Sequence, residues 1–309
     1  MRRFLSTSIL LISVILGSHF LGGTALSEAE PPPTVYLNHF FLTLDTQTYK
    51  DIEESDFIKK EFAYFEKRTT VVNNEESYSG AYIYGENTYF EFFDESKSQD
   101  SSTTGLASAI AFGVEKKDEI KTIQKKLKDY KNSYMVLRTR ELNGAQIPWF
   151  TMAAVFYGNQ GPDVMTWVME YHEDFLKKWH PELLPKTPGI RRKDILKRYA
   201  AKIEGPGLPG DKTLKDVIEV YIRLNPEDLE VLKEELSVLG FAYSREGNKT
   251  KCSGTDVSIV IDPIDGVNGK ITGIKMSCRS NKVKDKTFVF GKKSRLVLHE
   301  DKTATWTFE

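Results

Sequence analysis

Two short strand-like stretches carry groups that do chemistry only in a particular setting. In "TVYLNHFFLTLD", residues 34–45, a histidine stands among apolar residues. Strict alternation puts Val35, Leu37, His39, Phe41 and Thr43 on one face and Tyr36, Asn38, Phe40, Leu42 and Leu44 on the other. An imidazole placed there is either a hydrogen-bonded core residue or a metal ligand. In "NTYFEFFDE", Glu91 sits between aromatic residues. An unpaired carboxylate is costly to bury. Glu91 therefore calls for a metal, for a cation such as Arg138 or Arg140, or for solvent. In "DVMTWVMEYH", alternation groups Thr166, Val168, Glu170 and His172 against Met165, Trp167, Met169 and Tyr171. The following "YHEDF" suits a strand turning into a helix. Tyr82, Tyr84, Tyr89, Phe93, Trp149 and Phe156 either line an aromatic cup or pack as core.

The elements that must position these groups follow one order twice. The strand at 35–44 leads through Asp45 and Thr46, both N-cap residues, into a helical pattern with Tyr49, Ile52, Phe57, Ile58 and Phe62. "YFEKRTTVV", "SGAYIYG" and "NTYFEFFDE" read as three strands. "LASAIAFGVE" then opens a second strand, and "KKDEIKTIQKKLKDY" an amphipathic helix with Ile120, Ile123 and Leu127 aligned. "YMVLRTREL", "IPWFTMAAVFY" and "DVMTWVMEYH" give three more strands. Residues 176–211, rich in proline and glycine around a basic helix, read as a linker or lid. Residues 212–309 read as a third such unit with extra C-terminal strands. Its helix starts at Asn225–Pro226 and stops at Gly240.

With "LNHFFLTLD" opening a unit and "YFEFF" closing it, residues 35–175 resemble the vicinal oxygen chelate superfamily of glyoxalases, bleomycin-resistance proteins and extradiol dioxygenases. Within it they are similar to exported, uncharacterised glyoxalase-like proteins. The resemblance implies an α+β fold of paired βαβββ units forming a curved sheet cup. It also implies a divalent metal drawn from four strands. Carried over residue by residue, His39 matches the first-strand ligand, and Glu91 and Glu170 match the closing-strand ligands. The fourth position falls on Ala109, which has no donor; His172 is the substitute within reach. One nitrogen with two carboxylates suits Mn, Fe, Ni or Zn and leaves positions for a substrate. Glu91 or Glu170 would then move a proton. The reaction class implied is lyase, isomerase or dioxygenase chemistry on a small oxygenated molecule. The other readings are a metal-free small-molecule-binding protein and an envelope interaction scaffold.

The bulk composition narrows the remaining classes. The chain has 309 residues, 40% hydrophobic and 28% charged, with a net charge of -1, so no overall field attracts nucleic acid. Arg2 and Arg3, an apolar run to Leu21, and Ala25 and Ser27 at the cleavage positions read as a signal peptide over residues 1–27. A proline-rich spacer follows over 28–34. That expectation places the mature protein in the periplasm or outside the cell, with no membrane insertion after cleavage. Export permits a disulfide between Cys252 and Cys278, while their place in apparent strands opposes one. No phosphate loop, zinc spacing or nucleophile elbow is present.

Overall fold

The computed structural model describes residues 34–71, 77–100, 107–158, 161–183, 188–204, 212–266, 268–279 and 286–309. The expected signal peptide lies outside the described residues. The first unit is β1 (Tyr36–Leu44), α1 (Thr46–Glu54), β2 (Tyr64–Val71), β3 (Ser77–Tyr84) and β4 (Tyr89–Asp94). The second is β5 (Ser108–Gly113), α2 (Glu119–Tyr130), β6 (Ser133–Leu142), β7 (Ala145–Val155) and β8 (Val164–Tyr171). Next come α3 (Glu173–Trp179) and α4 (Arg192–Glu204). The remainder is β9 (Leu214–Leu224), α5 (Pro226–Val238), β10 (Ala242–Glu246), β11 (Lys249–Ser253), β12 (Ser258–Pro263), β13 (Lys270–Cys278), β14 (Thr287–Phe290), β15 (Ser294–Leu298) and β16 (Thr303–Phe308).

The fold is α+β, with paired βαβββ units in curved eight-stranded sheets. The first sheet runs β2-β3-β4-β1-β5-β8-β7-β6 and the second β10-β11-β12-β9-β13-β16-β15-β14. In each, two units join through an antiparallel pair of their first strands, β1 with β5 and β9 with β13. The strands beyond the third unit are thus a fourth unit. Among the described residues no helix follows its first strand, which is why the sequence pattern hides it.

Local chemistry starts the helices where expected. Asp45 accepts from the Thr48 amide at 3.0 Å, and Asn225 from the Asp228 amide at 2.8 Å with Pro226 next. Gly240 closes α5 at φ 92°, a conformation that favours glycine. α1, α2 and α5 bury their apolar stripes in one core that spans both sheets. Trp306 of β16 is central: its indole meets Phe90 and Phe92 of β4 at 5.9 and 5.4 Å. One face of the first sheet therefore looks toward the helices and the second sheet; the other is its inner face. α3 and α4 pack against that inner face through Phe175, Ile195 and Tyr199.

Cys252 in β11 and Cys278 in β13 are both buried and free. β12 and β9 stand between their strands. Three strand spacings amount to roughly 14 Å, beyond the reach of a disulfide. Burial pushes both thiols up to about 11, which keeps them out of thiolate chemistry near neutral pH.

Candidate functional site

His39 and Glu91 meet the same enclosure on the inner face, and a backbone irregularity decides how. β1 pairs with β5 in two registers that shift between Leu37 and His39, a β-bulge. Leu37 and Phe40 enter the core on the helix side, while the consecutive residues Asn38 and His39 both turn inward. Simple alternation puts Asn38 on the opposite face from His39; the bulge overturns that. Asn38 was therefore missed by sequence reasoning.

His39 stacks on Tyr89 at 4.5 Å and meets the edge of Trp167 at 5.5 Å. Its Nδ1 lies 2.9 Å from Asn38 Oδ1, which also accepts from the Tyr171 hydroxyl at 3.4 Å. Burial lowers the His39 pKa to about 3, so the ring is neutral near pH 7. A neutral ring facing a carbonyl oxygen must donate from Nδ1, which leaves the lone pair on Nε2.

Glu91 lies one strand away, where β1 and β4 run parallel with Phe41 opposite Glu91. Burial raises its pKa to about 7; Arg68 and hydrogen bonds from Tyr89 and Tyr82 pull it back down. The principal cation is Arg68 rather than Arg138, and Arg140 adds a smaller attraction. Arg68 covers the Tyr82 ring at 3.9 Å and donates to the Tyr84 hydroxyl at 2.9 Å. Tyr199 of α4 stacks on Tyr84 at 4.9 Å and accepts from Arg140 at 2.8 Å. Helix α4 thus closes one end of the inner face. The other end holds Phe41, Phe93 and Ala109, with Tyr78, Met165 and Trp167 partly exposed around them. His39, Phe41 and Tyr89 each retain 8% exposure and Glu91 7%, while Phe90, Phe92 and Phe112 across the sheet retain none. Solvent-sized groups therefore reach the inner face. Of the aromatic residues expected there, Tyr82, Tyr84, Tyr89, Phe93 and Trp149 pack on it. Phe156 is exposed elsewhere.

Glu170 does not join this pair. Its carboxylate accepts from the amides of Asp118 and Ile120 at 2.8 and 2.9 Å, capping α2 on the helix side of the sheet. The β-ladder registers give the reason. Glu91 stands beside Phe41 of β1, and Trp167 beside Ala111 of β5. With His39 aligned on Ala109, Phe41 aligns on Ala111 and so Glu91 aligns on Trp167. Glu170 is three residues further on, and an odd offset changes the face. Trp167, Met169 and Tyr171 consequently face inward, the reverse of the expected assignment. His172 lies past the strand end at the start of α3 and shares an outer cleft of about 470 Å³ with Glu170, Lys121 and Lys177.

The four metal positions implied by the resemblance are therefore His39, Glu91, Ala109 and Trp167. Alanine and the indole carry no metal-binding donor. Among the described residues no three His, Cys, Asp or Glu side chains gather in a way that would hold a metal ion. The donor set does not fit a three- or four-ligand divalent site.

A family described as "Family of unknown function (DUF5829)" matches residues 37–308. No curated protein matches the sequence. Among solved structures, a hypothetical protein from Staphylococcus aureus is similar at 10% identity and TM-score 0.49, over 82% of this chain and 95% of that one. An extradiol ring-cleaving dioxygenase from B. fuscum is similar at 9% identity and TM-score 0.43, over 90% and 73% of the two chains. A Mn(II)-bound glyoxalase from Novosphingobium aromaticivorans is similar at 9% identity and TM-score 0.36, over 76% and 62%.

Proposed function

The chain belongs to the DUF5829 family of unknown function, and we propose that the inner face of its first sheet binds a small oxygenated molecule and that Glu91 holds or moves a proton there. The observation that carries this reading is a neutral histidine and a buried, protonatable carboxylate on adjacent strands, inside an aromatic enclosure that is not sealed. A group whose pKa lies near neutrality serves as acid or as base with little change in conditions. The fold resemblance supports a small ligand, and the substitutions at Ala109 and Trp167 support binding without a metal. No step is routed through a metal ion.

The test is thermal stabilisation by a panel of small aromatic hydroxy and oxo compounds, with and without chelator. A ligand at 100 times its Kd adds about 2.7 kcal/mol of stability. The expected result is saturable stabilisation that ignores chelator and is weakened in Glu91→Gln. Stoichiometric Mn, Fe, Ni or Zn in the purified protein, lost in His39→Ala, would replace this reading with the metal-dependent one. A flat response across the panel would leave the interaction scaffold.

We also propose that the mature protein is periplasmic or secreted, from the signal-like residues 1–27. N-terminal sequencing of protein recovered from culture should begin at Glu28; retention of residues 1–27 on a cytoplasmic protein would rule export out.

A further inference from the structure

We propose that Asn38 is a positioning residue that locks His39 as a hydrogen-bond acceptor, so that the inner face selects a neutral aromatic ligand carrying a hydroxyl donor. This rests on the reading that the inner face binds a small molecule.

Several independent features build the arrangement. The bulge in β1 brings two consecutive residues to one face, which regular strand geometry forbids. Asn38 is 2% exposed, and its Oδ1 is oriented by the Tyr171 hydroxyl on one side and His39 Nδ1 on the other. Its amide nitrogen fits because residue 113 is glycine: a Cβ there would lie 3.0 Å from Asn38 Nδ2. The tautomer of a histidine is set by the partner of its other nitrogen, so Asn38 Oδ1 fixes the proton on Nδ1. Nε2 then accepts and does not donate.

The ligand chemistry follows from the ring that packs against His39. The Trp167 indole, in edge contact with the His39 ring, has a buried Nε1 with no hydrogen-bond partner among the described residues. The ring that carries the acceptor and the ring that carries the orphaned donor lie 5.5 Å apart, centroid to centroid. A hydroxyl satisfies both, giving its proton to His39 Nε2 and taking the Trp167 N–H on its oxygen. Tyr89, Phe41 and Phe93 supply flat apolar walls, which favour a planar ring behind that hydroxyl.

The experiment uses the full chain with 15N-labelled histidine. Long-range 1H–15N spectra should show His39 neutral with its proton on Nδ1 from pH 5 to 8. The proton should stay on Nδ1 in Asn38→Asp, which keeps the acceptor, and move to Nε2 in Asn38→Leu. Phenol should bind at least tenfold more tightly than anisole, which has the same ring but no donor. A proton on Nε2 in the unaltered protein overturns the proposal, even should Asn38→Leu fail to fold. Equal binding of phenol and anisole overturns it as well, as does stoichiometric capture of Mn²⁺ or Zn²⁺ alone at His39 Nε2. The expected tautomer with no binding of either probe would keep the positioning role of Asn38, and would defeat the ligand selection and the ligand-binding reading with it.

Discussion

At the scale of single residues, burial lowers the His39 pKa and raises that of Glu91, and their effects on stability run in opposite directions. Glu91 has its pKa raised from 4.5 to about 7. Its contribution is complete below its unfolded pKa and is lost as pH rises through about 7. Two and a half units correspond to about 3 kcal/mol. His39 has its pKa lowered from 6.5 to about 3. Its contribution is present above its unfolded pKa and is lost as pH falls toward about 3, a span worth about 5 kcal/mol. Between roughly pH 4.5 and 6.5 the folded chain binds one proton more at Glu91 and one fewer at His39, so the two slopes cancel. Urea unfolding at pH 5, 5.5, 6 and 6.5 should therefore show little dependence on this pair in the unaltered protein. In Glu91→Gln the His39 slope is unmasked, and stability should rise with pH by about 1.4 kcal/mol per unit. In His39→Gln it should fall with pH by a similar amount. Parallel slopes in the two variants would mean that the groups are not both neutral in the folded chain.

At the scale of elements, the repeat of strand, helix and three strands was legible because each carries its own period and its own caps, as at Asp45, Asn225 and Gly240. Glu91 was legible as a buried acid because its aromatic neighbours leave few alternatives. The partners of the site were not. A bulge leaves no mark in the spacing "LNHFF", so alternation misplaces Asn38. A slip of three residues in β8 misplaces Glu170, since register is set by pairing and not by composition. The structural role of Glu170 is testable. Removing both acceptors in Glu170→Ala should cost about 1–2 kcal/mol, the range for losing a helix cap, and should leave inner-face ligand binding intact. A loss of ligand binding greater than the loss of stability would return Glu170 to the site. Helix α4 depends on Arg192, a buried cation bonded to Glu115 at 3.0 Å, to Asp256 at 2.6 Å and to the Leu37 carbonyl at 2.5 Å. Arg192→Met leaves two carboxylates without their cation. It should destabilise by about 3–5 kcal/mol and make the α4 segment the first site of proteolysis. Global unfolding with no early cleavage at α4 would show that the helix is held by Tyr199 instead.

At the scale of the whole molecule, the two sheets share one core rather than meeting at a surface. Trp306 has no exposed area and touches Phe62, Phe90, Phe92, Phe290 and Phe308, which belong to both halves of the chain. A polar tie adds to this. Glu235 of α5, itself buried, accepts from Tyr157 at 2.5 Å and from Thr166 of β8. Asp216 of β9 holds the turn before β4 through the amides of Asn87 and Thr88 at 2.6 and 3.0 Å. Interactions of this kind make each sheet a condition for the other, so the described chain should unfold in one transition. Far-ultraviolet circular dichroism reports both sheets, while near-ultraviolet signals weight the tryptophans, three of which (Trp149, Trp167 and Trp179) lie in the first sheet and the helix that follows it. In the unaltered protein the two denaturation curves should coincide. Trp306→Ala should cost about 3–5 kcal/mol and move both curves together, since the cavity opens in the shared core. Glu235→Leu removes the carboxylate and strands the Tyr157 and Thr166 hydroxyls near it; it should cost about 1–3 kcal/mol and also keep the curves together. Separate midpoints in the unaltered protein would mean that the first sheet folds without the second. The inner face could then be studied in a chain ending before β9.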